Sequence, residues 1–385
     1  MNTVDHYIVS GPLYKNIKYR RGHLVDYLKE LENTSHVYWI IPSKEPQLKR
    51  MAHQSSISME RIDDKLTYIH VRTTSDVFLY TELMSSHLYN NLQEQITSNP
   101  NKKILWYTRP QYPFLSKMKA WDSVVYDCSD LWVEIIYHRK VLRKSLMTYV
   151  MTRAEQKIVK RSTDLFSTTP YLSEHIYSFS GKKPYVIENG VSQHMLEEPS
   201  SDTDPFPHIP KPRIGYVGTV RRLVDIQLLH DVAIKYPTMS LVFIGPVTLK
   251  SIEWKKLSQE ANVFVVDQIP ITDVPRYMRA LDVGLLPYRP TALSQATSPL
   301  KFFEYVACGI PVVGSGLPTI EKYREAGVYD YANGSSEQFA EKCIEALEYA
   351  RDVRMQERRR NLAKTQLWHN KFTVMVDKVM NRHLP

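Results

Sequence analysis

Glycine is scarce in this sequence, 13 residues in 385. Each glycine in a loop therefore carries more information than usual, because the residue costs backbone entropy wherever its freedom is not used. Cysteine is scarcer still. Cys128, Cys308 and Cys343 are an odd number without short metal-type spacing, which argues against a disulfide framework or zinc site and fits a reducing compartment. No uncharged apolar run approaches the roughly 20 residues that cross a bilayer. The opening Met1-Asn2-Thr3-Val4-Asp5-His6 lacks the basic region and apolar stretch of a signal peptide. The expectation is a cytoplasmic protein, soluble or peripheral on the inner face of the plasma membrane. No Gly-x-Gly-x-x-Gly follows a strand, which disfavours a dehydrogenase, and no Gly-Lys-Ser/Thr exists for an NTPase phosphate loop.

Acid is short of base, 41 residues against 50, giving a net charge of +9. That balance favours an anionic partner such as a diphosphate, anionic lipid or nucleic acid. Nucleic acid is not expected, since no reading motif accompanies the charge. The hydrophobic fraction of 43% and charged fraction of 24% are ordinary for a globular enzyme. A chain of 385 residues exceeds the usual limit of one core, so two domains are expected.

Short apolar runs alternate with helix-length segments throughout. The runs in the first half are Tyr7-Ile8-Val9, Val37 to Ile41, Leu66 to Val71, Ile104 to Tyr107, Val124-Val125-Tyr126, Leu165-Phe166 and Tyr185-Val186-Ile187. Between them lie segments such as Gly22 to Glu32 and Val133 to Arg161. Continuous apolar strands alternating with helices indicate a parallel sheet covered on both faces. The stretch Glu197 to Lys211 is rich in proline and small polar residues and reads as an interdomain linker. The pattern then restarts. Strands are expected at Ile214 to Val217, Leu241 to Ile244, Val263 to Val266, Val283 to Leu286 and Pro311 to Val313, with a helix over Ile226 to Lys235. The tail Trp368 to Arg382 is amphipathic and reads as a last helix packed outside the second sheet. The expected fold class is α/β, two Rossmann-like doubly wound domains, with ligands beyond the carboxyl ends of the strands in the cleft between them.

Four stretches at such ends carry candidate chemistry. In Ser298-Pro299-Leu300-Lys301-Phe302-Phe303-Glu304, Ser298 suits a helix N-cap and Pro299 the first helical position. A helix start suits a diphosphate, Lys301 sits where only an anion makes a cation welcome, and Glu304 can accept from a ribose diol. The same residues fit an ordinary capped helix with a surface lysine and glutamate. In Gly215-Tyr216-Val217-Gly218-Thr219-Val220-Arg221-Arg222, a strand ends at a glycine and two arginines follow, which match phosphate through paired donors. Paired arginines also occur as a solvated charge patch. In Val124 to Trp132, Asp127 and Asp130 could orient an acceptor hydroxyl or steady a positive transition state. Asp130 also suits the cap of the following helix, which leaves Asp127 the stronger candidate. The fourth is the loop from Ser10 and Gly11 through Arg20, Arg21 and His23, basic enough for an anionic substrate and equally readable as a plain basic loop.

The segment Arg139 to Arg161 carries eight Lys/Arg against the single acid Glu155, with Val141, Leu142, Leu146, Val150 and Ile158 between them. A basic amphipathic helix can lie on an anionic membrane surface. It can equally be a solvated face above an apolar stripe.

Ser298 to Val313 resembles the Ser-Pro-x-Lys-x-x-Glu-Tyr-x-Ala-x-Gly-x-Pro-Val-Val signature of GT-B glycosyltransferases, especially the retaining glycosyltransferase family 4. Asp282 to Tyr288, Glu188-Asn189-Gly190-Val191, Ile214 to Thr219 and Phe243 to Pro246 are also similar to family segments. Tyr126 to Asp130 and the overall layout look most like cell-surface polysaccharide enzymes, including those of teichuronic acid synthesis. The resemblance implies a first domain over 1–198 that holds the acceptor, a second over 210–365 that holds the nucleotide sugar, and a helix over 366–385 crossing back to the first. It implies no metal and no cofactor beyond the nucleotide-diphosphate sugar, UDP-sugar being favoured. The helix start from Ser298 through Leu300 to Lys301 would hold the diphosphate, Gly218 with Arg221 or Arg222 the phosphate, Glu304 the ribose, and the loop at Gln268 and Ile269 the base, with Thr219 and Thr297 also on the donor. Gly11, Arg21 and His23 would face the acceptor, and Asp127 and Asp130 the reaction centre. Two departures bear on the donor sugar and the retaining outcome. Ala296 stands where many members have a second glutamate, and the usual first-domain histidine is absent from Val124 to Asp130. The implied reaction is sugar transfer to a hydroxyl of a lipid-linked or polysaccharide acceptor. The alternatives are a nucleotide-sugar epimerase of the same architecture and a non-catalytic glycan-binding scaffold.

Overall fold

Alternating apolar strands and amphipathic helices have one efficient way to bury their surfaces, a parallel sheet with helices on both faces. The computed structural model describes residues 3–11, 19–43, 57–72, 79–135, 141–198, 203–332 and 334–381. It divides into two units. One comprises Met1–Glu188 with Phe372–Pro385, the other Asn189–Lys371.

The elements of the first unit run in the order β1 (Val4–Val9), α1 (Arg20–Glu30), β2 (Thr34–Ser43), β3 (Ile57–Asp63), β4 (Leu66–Arg72), α2 (Glu82–Thr97), β5 (Lys102–Tyr107), β6 (Ser123–Cys128), α3 (Val141–Arg161), β7 (Asp164–Ser167), α4 (Pro170–Ser180) and β8 (Tyr185–Val186). They form an eight-stranded sheet ordered β3-β4-β2-β1-β5-β6-β7-β8. Every pairing is parallel except β3 with β4. β3 was not expected from sequence. It is an edge strand exposed along most of its length, so ISMERID has no apolar run to betray it. The core strands are buried throughout, with Tyr7, Ile8, Trp106 and Tyr126 fully covered. Within the expected helix Val133 to Arg161, Trp132–Ile135 forms a short 3-10 turn and α3 covers Val141–Arg161, while residues 136–140 lie outside the described residues.

The second unit continues with β9 (Arg213–Val217), α5 (Ile226–Lys235), β10 (Ser240–Ile244), α6 (Ile252–Leu257), β11 (Val263–Val266), α7 (Val274–Arg279), β12 (Val283–Pro287), α8 (Ala292–Gln295), α9 (Leu300–Ala307), β13 (Val312–Ser315), β14 (Tyr329–Tyr331), α10 (Ser336–Glu348), α11 (Val353–Thr365) and α12 (Trp368–Met380). Its six parallel strands are ordered β11-β10-β9-β12-β13-β14. Counted within the unit that is third, second, first, fourth, fifth, sixth, which places a topological switch between β9 and β12. α5 matches its expected span, started by the Asp225 side chain accepting from Leu228 N–H at 3.3 Å.

Two boundaries differ from expectation. The chain changes unit at Glu188–Asn189, ahead of the proline-rich stretch. Phe206 and Ile209 within that stretch are buried in the second core, and Asp204 pairs with Arg213 at 2.9 Å. Two apolar anchors and an ion pair thus hold a segment whose composition reads as linker. The last helix begins in the second unit and from Phe372 onward its residues belong to the first, the placement the family resemblance implies and not one outside the second sheet as the amphipathic pattern alone suggests. Phe372 lies 5.8 Å from the Tyr27 ring, and Tyr27 donates to the Thr373 hydroxyl at 3.0 Å.

Candidate functional site

The candidate site of the second unit lies at the switch between β9 and β12. β9 ends at Val217 and the chain passes through Gly218 at φ 143°, a conformation that residues with a β-carbon rarely adopt. α9 is fixed against β9 by one side chain. The Tyr305 hydroxyl donates to the Gly215 carbonyl at 3.0 Å and accepts from Val217 N–H at 2.8 Å. Phe302, Phe303, Tyr305 and Val306 are buried, so Lys301 and Glu304 are left on the opposite face. They pair at 2.5 Å, with side chains 29% and 21% exposed. A β-carbon on Gly218 would come within 3.7 Å of the Lys301 Cε, so the end of β9 and the start of α9 meet.

Beneath them Tyr216 and Tyr288 are buried and share a hydrogen bond. Burial raises the Tyr288 hydroxyl above its usual range, Arg221 and Lys301 draw it down, and Glu304 adds to the rise. Three charges from two separate stretches of sequence therefore act on one phenol. Arg221 and Arg222 are exposed, and neither has an ion-pair or hydrogen-bond partner among the described residues. Thr219 is exposed, and its carbonyl accepts from Tyr216 at 3.2 Å. Gln268 and Ile269 follow β11 at the same carboxyl edge of the sheet, Gln268 exposed and Ile269 half-buried against the core.

Ser298 is not the N-cap of α9. That position falls to Pro299, which makes no side-chain cap, and Leu300 is the first helical residue. The Ser298 hydroxyl is used instead by Asn189 N–H at 3.0 Å, while the Asn189 side-chain amide donates to the Ser298 carbonyl at 2.8 Å. Asn189 thus joins the site, its Oδ1 buried without a partner. In sequence Asn189 stands out only within the Asn-Gly-Val segment, since its position beside Ser298 depends on residues 109 apart. Thr297 donates to the Leu293 carbonyl at 2.7 Å, which ties its hydroxyl back to α8. Ala296 is 2% exposed.

In the first unit the candidates are arranged differently. Asp127 lies inside β6, 1% exposed, and accepts from Arg20 Nε at 2.7 Å and Nη2 at 3.0 Å. Arg20 also donates to the Glu188 carbonyl at 3.1 Å and lies over the Phe372 ring at 5.7 Å. Both carboxylate oxygens of Asp127 are engaged by a buried guanidinium. Asp130 accepts from the Ser129 hydroxyl at 3.1 Å. Arg20, Arg21 and His23 stand on the first turn of α1 rather than in a loop, because Tyr19 takes the cap position and its carbonyl receives the N–H groups of Gly22 and His23. Arg21 and His23 are half-buried, with the Arg21 guanidinium over the Tyr19 ring at 4.9 Å. Residues 12–18 of that stretch lie outside the described residues. Gly11 faces Arg109, a residue the sequence reading passed over.

On α3 the lone acid points inward: Glu155 accepts from Tyr126 at 2.5 Å. Ile158 is buried with Met147, Met151 and Ala154, while Leu146 and Tyr149 are exposed beside Lys144, Arg153, Lys157 and Lys160. Arg139 and Lys140 lie outside the described residues. Among the described residues no group of three metal-ligating side chains comes together, and no helix is long and apolar enough to cross a membrane.

Comparison with known proteins places these elements. Residues 211–349 match the family model "Glycosyl transferases group 1". The chain is 30% identical over 369 residues to TuaH of Bacillus subtilis strain 168, whose name assigns it as a glycosyltransferase to teichuronic acid biosynthesis. The match covers 92% of this chain and 91% of TuaH. This chain is a group 1 glycosyltransferase.

Among solved structures this glycosyltransferase is similar to sucrose-phosphate synthase of Thermosynechococcus elongatus, with TM-score 0.73, 15% identity and 98% of each chain covered. It is also similar to HepE of Anabaena in complex with UDP, with TM-score 0.67, 12% identity and coverage of 98% and 100%. At these identities the likeness is one of fold, the GT-B fold of two parallel-sheet α/β domains expected from sequence.

Proposed function

We propose that this glycosyltransferase moves a hexose from a nucleoside-diphosphate donor, UDP-sugar in first place, to a hydroxyl of a lipid-linked or polysaccharide acceptor in cell-surface glycan synthesis. The observation that carries the donor assignment is that Gly218 at the end of β9 meets Lys301, which pairs with Glu304, while Arg221, Lys301 and Glu304 all act on the charge of the buried Tyr288 at the β9–β12 switch. Lys301, Arg221 and Arg222 offer cations to a diphosphate. Glu304 offers a carboxylate to a ribose diol, and the backbone of Gln268 and Ile269 borders the place for a base. Donor entry exchanges the Lys301–Glu304 pair for one contact with each ligand group, and because the two side chains are already mostly covered, only their remaining 29% and 21% exposure has to be desolvated. Charge that develops on the leaving diphosphate meets fixed cations, which supplies the catalytic stabilisation without a metal ion.

The relative in Bacillus, named for teichuronic acid biosynthesis, supports a cell-surface polysaccharide acceptor. HepE was solved with UDP, which supports the base. The sugar itself meets Ala296, a buried methyl where a carboxylate could have reached its hydroxyls. Asn189, whose Oδ1 is buried without a partner, offers a polar group for that part, and the retaining outcome follows from the resemblance to the retaining family. The exposed cations of α3 around Leu146 and Tyr149 suit an anionic membrane surface near a lipid-linked acceptor.

The test is release of UDP from a panel of UDP-hexoses, with and without lipid-linked saccharide. Turnover of one donor that rises with acceptor and is lost in Glu304→Gln is the expected result. Absence of turnover with every nucleotide sugar, despite folded protein, contradicts the proposal.

A further inference from the structure

The first sheet has its own switch, between β1 and β5, where strand order reverses. β1 is followed by Ser10 and Gly11, and β5 by Thr108 and Arg109. At this edge Arg109 lies against Gly11 and stacks over Trp132, its guanidinium carbon 4.8 Å from the ring centroid. A β-carbon on Gly11 would stand 2.4 Å from Arg109 Nη1 and 3.0 Å from its Cδ, so only glycine leaves the guanidinium where it is. No carboxylate pairs with it among the described residues, and its Nε is buried without a partner. On the flanking chain the Ser10 hydroxyl, the Gln111 Oε1 and the Trp132 indole nitrogen are also buried and unpartnered. Ser10 and Gln111 are 0% and 2% exposed.

A buried donor left unmade is costly, and a guanidinium held over an aromatic face is already ordered for binding. The ordinary way to satisfy such a cation is a carboxylate of the same chain. Arg20 on α1 has one in Asp127, so the contrast lies within one sheet. What complements Arg109 is a planar or tetrahedral oxyanion able to take paired N–H donors. We propose that Arg109, seated between Gly11 and Trp132, recognises an anionic group on the acceptor sugar, a carboxylate or a phosphate. The ligand's role as acceptor rests on the proposed transfer reaction; the anion site does not.

The experiment is calorimetric titration of the full chain, saturated with UDP, with glucose, glucuronate and glucose 6-phosphate. The expected result is that an anionic sugar binds about tenfold or more tighter than glucose, the tighter of the two naming carboxylate or phosphate. Arg109→Gln should erase that preference. Gly11→Ala should erase it too, because the new methyl displaces the guanidinium while keeping its charge. It asks only the far end of a flexible side chain to move, so it remains informative if Arg109→Gln folds poorly. UDP affinity should be the same in all three proteins. Equal affinity for the three sugars, no measurable binding of either anion, or a preference that survives both variants overturns the proposal. An anion preference in protein that binds no nucleotide would sink the transfer reaction and leave this site standing.

Discussion

The two sheets share a strand order about their centres, yet they spend their charges differently. At the edge of the first, Asp127 and Arg20 close on each other in a buried, bidentate pair. At the edge of the second, Lys301 and Glu304 make a single contact while partly open to solvent, and Arg221 and Arg222 have no partner among the described residues. Both sets read alike in sequence, as charged residues beyond strand ends. The difference teaches that residue type and strand-end position do not separate charges committed to the fold from charges available to a ligand. Burial and partner geometry do.

That comparison can be broken at its buried side first. Arg20→Met leaves Asp127 as an uncompensated buried carboxylate and should cost about 3–5 kcal/mol of stability in denaturant unfolding. Arg20→Met/Asp127→Leu should recover much of the loss, because no charge is then stranded. A loss below about 1 kcal/mol for the single change would show a weakly held pair.

A second commitment to the fold is His6, fully buried and accepting from Trp106 Nε1 at 3.1 Å. Burial lowers its pKa from 6.5 to about 3. The unfolded chain therefore takes the proton first, and the residue's contribution is whole above pH 6.5 and fades as pH falls towards 3. His6 should make stability fall by about 1.4 kcal/mol per pH unit through that window. His6→Asn keeps an acceptor and should remove this part of the slope in unfolding curves taken from pH 7 to 4. An unchanged slope would locate the acid sensitivity elsewhere.

On the second sheet the effects should fall on ligand rather than fold. Glu304→Gln and Lys301→Ala should each weaken UDP binding about tenfold, with stability within about 0.5 kcal/mol of the parent. Gly218→Ala should cost about 1–2 kcal/mol, since φ is 143° and the added methyl meets nothing closer than 3.6 Å. Its cost is conformational, and a melting curve measures it.

Much of the fold was legible because buried parallel strands are continuous apolar runs. Leu241 to Ile244, Val263 to Val266 and the helix Ile226 to Lys235 appear where the pattern places them. β3 was not legible, because an exposed antiparallel edge strand has no such run. The proline-rich stretch misled for a related reason: Phe206 and Ile209 are two apolar residues whose burial depends on a distant core. In the candidate site, Lys301, Glu304 and Arg221 stand in local motifs, so their grouping is legible while their roles belong to the proposal. Ser298 as a cap could not survive, since its hydroxyl is taken by Asn189 across a separation no local rule spans. Arg109 was missed because a single arginine after a strand carries no signal until Gly11 and Trp132 are seen beside it.

The claim that one edge holds the fold and the other holds the donor is tested most directly by UDP calorimetry and thermal unfolding on Asp127→Asn and Glu304→Gln side by side. The account predicts that Asp127→Asn melts lower and binds UDP as the parent does, while Glu304→Gln melts as the parent does and loses UDP affinity. The reverse pattern, or a loss of UDP affinity in both, would contradict it.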